Sequence, residues 1–212
     1  MQITLGGTRV QMLPEKALYL PEYGLLVIAD LHLGKAMHFR KAGLFVPAES
    51  AQKDYQVLRT LMEQYQPREV WFLGDLFHSD HNIEWFHFES FIRDHEAIRF
   101  TLIRGNHDIL KQDYYEQLKI AIVPEVLELG NLVFSHEPLN AVVPGKINIA
   151  GHIHPGCALR GLGRQSLRLP CFYWCEDLLL LPAFGALTGL RIMDHGKNAK
   201  VYAIASDRVL QL

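Results

Sequence analysis

Cysteine is scarce in the 212-residue chain, which has three, at positions 157, 171 and 175. An odd, small number provides no disulfide framework, so packing must hold the fold, and reduced thiols suit a cytoplasmic setting. No apolar run approaches the ~18 residues that a membrane span requires. The opening stretch, Met1 to Gly7, lacks a cationic segment followed by an apolar signal core. Neither sign of charge is in excess: 21 Lys and Arg against 23 Asp and Glu give a net charge of −2. That excludes a global basic field as a source of tight, non-specific nucleic-acid binding. Internal repeats and low-complexity segments are also missing. What remains is ordinary, 49% hydrophobic and 21% charged. The length suits a single domain over residues 1–212 with a large core.

Periodicity divides the chain into two styles. In the first part, Ile3 and Leu5, then Val10 and Met12, alternate around Gly6-Gly7 as a hairpin would, and Leu18 and Leu20 add a short strand. Buried strands are expected over 24–29, 70–73 and 99–103. Between them, Tyr55, Leu58, Leu61, Met62 and Tyr65 recur at helical spacing after Pro47, as do Trp85, Phe88, Phe91 and Ile92. Those aromatics read as core. The basic stretch 33–43 reads as a loop, 74–81 as an irregular polar turn ending at His81, and 109–118 as a short helix. After Pro124 nearly every segment is a strand candidate: 126–129, 132–134, 147–150, 167–174, 178–181, 189–193 and 201–205, with a turn at His195-Gly196. An α/β first part followed by strands implies an α/β fold of two packed sheets with helices outside.

Chemistry gathers where the strands stop. Val27-Ile28-Ala29 runs into Asp30-Leu31-His32, and Trp71-Phe72-Leu73 into Gly74-Asp75. Phe100 to Ile103 runs into Arg104-Gly105-Asn106-His107-Asp108, Leu132 to Phe134 into Ser135-His136, and Ile147 to Ala150 into Gly151-His152-Ile153-His154. Open α/β sheets place their sites beyond such carboxyl ends. Asp30, His32, Asp75, Asn106, His136, His152 and His154 are the candidate metal ligands. Oxygen and nitrogen donors without thiolate are too many for one tetrahedral zinc ion and suit two cations bridged by a carboxylate. Mixed carboxylate and imidazole favour Mn, with Fe or Zn as alternatives. The two-residue spacing of Asp30/His32 and His152/His154 would project each pair to one side if extended geometry continued.

These five blocks, in order, resemble the motifs of the calcineurin-like metallophosphoesterase superfamily. Asp30-Leu31-His32-Leu33-Gly34-Lys35, Leu169-Pro170-Cys171-Phe172 and Leu181 to Gly189 resemble more closely the bacterial ligase-associated DNA damage response endonuclease (PdeM-type) family. The resemblance implies a four-layer α/β/β/α sandwich and a dinuclear metal-dependent phosphodiesterase or endonuclease of DNA repair. DNA or another phosphodiester would be its substrate, and a ligase or helicase a possible repair partner. It also implies one metal on Asp30, His32, Asp75 and His154, and a second on Asp75, Asn106, His136 and His152. His107, the non-ligand histidine, is suited to protonate the leaving oxygen, with Asp108 either orienting it or capping a helix. His78, Lys35, Arg40 and Arg104 are candidate substrate contacts, and Arg160, Arg164 and Arg168 could follow a nucleic-acid backbone. Rival readings are a hydrolase of small phosphoesters such as cyclic nucleotides, and a non-catalytic binding module on the same fold. Cys171 and Cys175 are expected to be buried strand thiols.

Overall fold

The computed structural model describes all residues except 42, 44–48, 79–82, 162, 164, 195 and 197. Pro47, His81, Arg164 and His195 therefore lie outside the described residues.

Seven strands form the first sheet in chain order: β1 (Gln2–Leu5), β2 (Thr8–Met12), β3 (Leu18–Leu20), β4 (Leu25–Ala29), β5 (Glu69–Leu73), β6 (Arg99–Ile103) and β7 (Ala121–Val123). The pairs up to β3–β4 are antiparallel, joined by tight turns; β4 through β7 are parallel. Parallel neighbours need crossovers, which here contain α1 (Lys35–Lys41), α2 (Glu49–Tyr65), α3 (Ile83–Asp94) and α4 (Gln112–Gln117). The second sheet is built from β8 (Val126–Leu129), β9 (Leu132–Ser135), β10 (Ile147–Ala150), β11 (Pro155–Arg160), β12 (Ser166–Cys175), β13 (Leu178–Leu180), β14 (Arg191–Ile192), β15 (Ala199–Ala205) and β16 (Arg208–Gln211). Its order is β14-β11-β12-β13-β10-β9-β8, with β15 and β16 branching from β12. Both sheets are mixed. They pack against one another with helices flanking, the layered sandwich that the sequence resemblance implied.

Alternation along each strand explains the layers. On one face of the first sheet, Leu26, Ile28, Val70, Phe72, Phe100 and Leu102 pack under Leu58 and Leu61 of α2 and Phe88 and Phe91 of α3. The alternate residues, Val27, Ala29, Trp71, Leu73 and Ile103, meet Phe134, Ile149, Phe172, Leu179 and Tyr202 of the second sheet. Burying each large side chain contributes roughly 1.5–3 kcal/mol. The outer face of the second sheet carries a smaller cluster, Cys157, Cys171, Val201 and Ala203. All three cysteines are free thiols, Cys175 only partly buried.

The differences from expectation have local causes. Residues 35–41 form helix α1 rather than a loop; their basic, weakly patterned sequence gives no apolar stripe to read. The strand expected over 189–193 contracts to Arg191–Ile192. Strands β7, β11 and β16 were not anticipated. β11 opens Pro155-Gly156, residues that weaken a strand reading, although proline is tolerated as a strand's first residue. No described helix is long and apolar enough to cross a membrane.

Candidate metal centre

Because β4, β5 and β6 are parallel, as are β9 and β10, their carboxyl ends face one edge of the sandwich. The residues after those ends meet there. Asp30, His32 and His154 form one set of donors and Asp75, His136 and His152 another, the atoms within each lying no more than 4.8 Å apart. Asp75 touches both sets, with Oδ2 3.6 Å from His32 Nε2 and Oδ1 3.4 Å from His136 Nε2. His154 Nε2 lies 3.4 Å from Asp30 Oδ1. Asn106 Oδ1 is 3.0 Å from His136 Nε2, which is itself 3.1 Å from His152 Nδ1.

This arrangement fits divalent cations. His136 Nδ1 lies 2.9 Å from the Leu73 carbonyl, which can only accept, so Nδ1 carries the proton and Nε2 presents a lone pair. In the neutral ring that lone pair faces a carboxylate oxygen and an amide oxygen, a convergence of acceptors that a bound cation would relieve. In the other set, both ring nitrogens of His32 and Nε2 of His154 are buried without a hydrogen-bond partner. Burial first, then the Lys35 and His154 charges, hold the His32 pKa down to about 2. Its imidazole is therefore neutral at pH 7 and available as a ligand.

The backbone reaches this geometry through strain. Asp30, His32, Asp75, His152 and His154 all have φ between 49° and 65°, so the extended geometry expected for the Asp30/His32 and His152/His154 pairs does not continue past the strands. Left-handed backbone costs a non-glycine residue about 1–2 kcal/mol, and such strain collects at functional sites. Hydrogen bonds hold the loops against it. The His152 amide donates to Asp30 Oδ2 at 2.9 Å, and the His107 amide donates to Asp75 Oδ1 at 2.9 Å. Glycines make the room: a Cβ on Gly74 would collide with the His136 ring, and one on Gly151 would sit 2.6 Å from Asp30 Oδ2. Glycines beside the ligand motifs were visible in the sequence, and their positions carried this signal.

Asp108 has a different place from the one expected. It is buried, and its carboxylate accepts from the amides of Gly105 (2.8 Å), Leu76 (2.8 Å) and Phe77 (3.4 Å). Instead of turning the His107 ring, it ties the β6 loop to the β5 loop. Burial, opposed first by the Gly105 hydrogen bond, raises its pKa to about 6. His107 is exposed, its ring 5.7 Å from His32 and 5.3 Å from His78. Lys35 begins α1 half-buried, and Asp75 and Asp30 counter the burial that lowers its pKa. Arg40 lies in α1, and its charge, after that of His87, opposes the burial that raises the Glu84 pKa. Arg104 lines an open cleft of about 490 Å³ beside Asn106 and His136, with Glu125, Glu137 and Leu139.

The calcineurin-like phosphoesterase family profile matches residues 24–185, and the chain belongs to that family. No curated protein matches it. Among solved structures, the Pseudomonas putida nuclease MPE is 28% identical with a TM-score of 0.83, the match covering 100% of this chain and 99% of that one. The E. coli phosphoesterase Yfce is 15% identical with a TM-score of 0.46, over 89% of this chain and 97% of that one.

Proposed function

We propose that the protein hydrolyses phosphodiester bonds in nucleic acid, DNA first, using two divalent cations, Mn²⁺ with Fe or Zn as alternatives. The observation that carries the nucleic-acid reading is the full-length likeness to a nuclease. One cation would be held by Asp30, His32, Asp75 and His154, the other by Asp75, Asn106, His136 and His152, with Asp75 between them. When bound, the pair supplies Lewis-acid polarisation of the phosphoryl group and lowers the pKa of water.

The chain's own groups do the rest. His107 stands exposed over the His32 side and delivers a proton to the leaving oxygen, as a general acid does. His78, next to both rings, lies within reach of the same phosphoryl group. Lys35 adds positive charge on that side. On the other side, the cleft beside Asn106 gives the flanking nucleoside room, with Arg104 in its wall. Asp108 acts as a positioning residue that keeps Asp75 and Asn106 in register. A role in DNA repair follows from the family resemblance.

The test compares bis-p-nitrophenyl phosphate, p-nitrophenyl phosphate and labelled DNA under Mn²⁺. Cleavage of the diester and of DNA in preference to the monoester is expected. Turnover of the monoester or of cyclic nucleotides with DNA untouched would replace this reading with the small-substrate one.

A further inference from the structure

The β11–β12 hairpin leaves the metal centre directly, since Pro155 follows His154. Ala150 at the end of β10 pairs with Leu180, and Leu180 with Tyr173 of β12. Strand β12 therefore passes the level of the metal donors near Tyr173. It is antiparallel to β13, which runs with β10, so its earlier residues continue beyond the catalytic edge. There they pair with β11, Ala158 opposite Arg168 and Arg160 opposite Ser166. The hairpin stands as a wall past the site.

Its two faces are decided by alternation. Cys171 belongs to the outer cluster and Phe172 to the core between the sheets. Arg168 and Ser166 share the parity of Phe172, and Arg160 shares a face with Ser166. Both arginines thus lie on the inner side of the wall, the side of the catalytic edge, while Leu159 and Leu167 occupy the outer side. Arg160 and Arg168 are exposed and have no salt bridge among the described residues. From Pro155 to Cys175 the sequence contains no acidic residue. In a chain of net charge −2, this is a local cationic strip.

We propose that this hairpin is a backbone-tracking arm on which Arg160 and Arg168 bind phosphates of a nucleic-acid strand remote from the cleaved bond. The proposal rests on the nucleic-acid reading above. Counting from His154 at ~3.3 Å per residue, the Arg168 level is about 13 Å away and the Arg160 level about 20 Å. At ~3.4 Å of axis per nucleotide, those distances correspond to roughly four and six nucleotide steps. Substrates shorter than this on the hairpin side do not reach the arm, and longer ones gain from it.

The experiment uses Mn²⁺-loaded wild type and the R160Q/R168Q double variant, with single strands of three and twelve nucleotides and bis-p-nitrophenyl phosphate as the reference substrate. For the wild type, kcat/KM should rise from the trimer to the twelvemer. In the variant, the ratio of twelvemer to reference should fall roughly tenfold, chiefly through KM. The slope of log affinity against log salt should shrink by about 1.4, two phosphates at ~0.7 each. An unchanged ratio, with the wild type cutting the twelvemer, overturns the arm alone. Equal losses on the trimer and twelvemer also overturn it, because damage to the site would explain them. Turnover of the reference diester with neither strand cut would sink the nucleic-acid reading and the arm together.

Discussion

His136 and His32 both offer an imidazole to the carboxylate of Asp75, yet the protein holds them differently. His136 is anchored through Nδ1 to the Leu73 carbonyl and faces Asn106 and His152 at hydrogen-bonding distance. His32 is as deeply buried, and neither of its ring nitrogens has a hydrogen-bond partner. One set is arranged in advance by the protein; the other awaits the cation to satisfy it. Outer hydrogen bonds of the His136 kind typically raise metal affinity 10–100-fold, so the His136 side should fill first and the His32 side second.

Removing the shared residue should erase the difference. Asp75→Ala is expected to lose both cations and at least ~10³-fold in activity, whereas Asp30→Ala should chiefly empty the His32 side. Elemental analysis decides this, and a wild type that binds one cation at saturation would break the dinuclear account. A variant that spares both sets comes next. His107→Gln should keep both metals while diester cleavage falls ~10²–10⁴-fold, with a much smaller loss for a good leaving group; loss of a metal would make His107 a ligand. Asp108→Asn should act on both sets through the Asp75 loop, and most on the His136 side, which also draws on Asn106. It puts an amide among donors that serve the Asp75 and Asn106 loops, so affinity on the His136 side should drop ~10–100-fold, and calorimetric Mn²⁺ titration would show the two binding steps converging. The smallest effect is local. In metal-free protein, His152→Gly should be about 1 kcal/mol more stable than His152→Ala, because only glycine accepts φ 65° without strain. Equal melting temperatures would show that the strain is absent.

Much of this was legible because strand ends announce themselves. The strand candidates 24–29, 70–73, 99–103, 132–134 and 147–150 stop at residues too polar to be buried alone, and parallel pairing brings those stops to one edge. The aromatics of α3 declared themselves core by spacing, and Trp85, Phe88 and Phe91 are at most 4% exposed. What spacing failed to convey was backbone conformation. Two residues apart suggests one side of a strand, yet left-handed turns at Asp30, His32, His152 and His154 aim those side chains by another route. Asp108 shows a second limit. Its partners are amides of residues 76, 77 and 105, and every residue but proline carries such a donor, so nothing in side-chain chemistry marks the contact. Helix α1 had no apolar stripe to betray it.

The hydrogen bond from the His152 amide to Asp30 joins residues 122 positions apart, and this separation bears on how the chain folds. Loops of that length close late, since their entropy is lost before the contact is gained. The centre is therefore complete only after both sheets have docked. Cations have no assembled site in the unfolded or half-folded chain, so they should leave the folding rate unchanged and act on the native state, slowing its unfolding as their concentration rises. Stopped-flow traces with and without Mn²⁺ would show this as one moving limb of the chevron. In kinetic terms the metal is the latch on a finished structure, and the two sheets have to find each other without it.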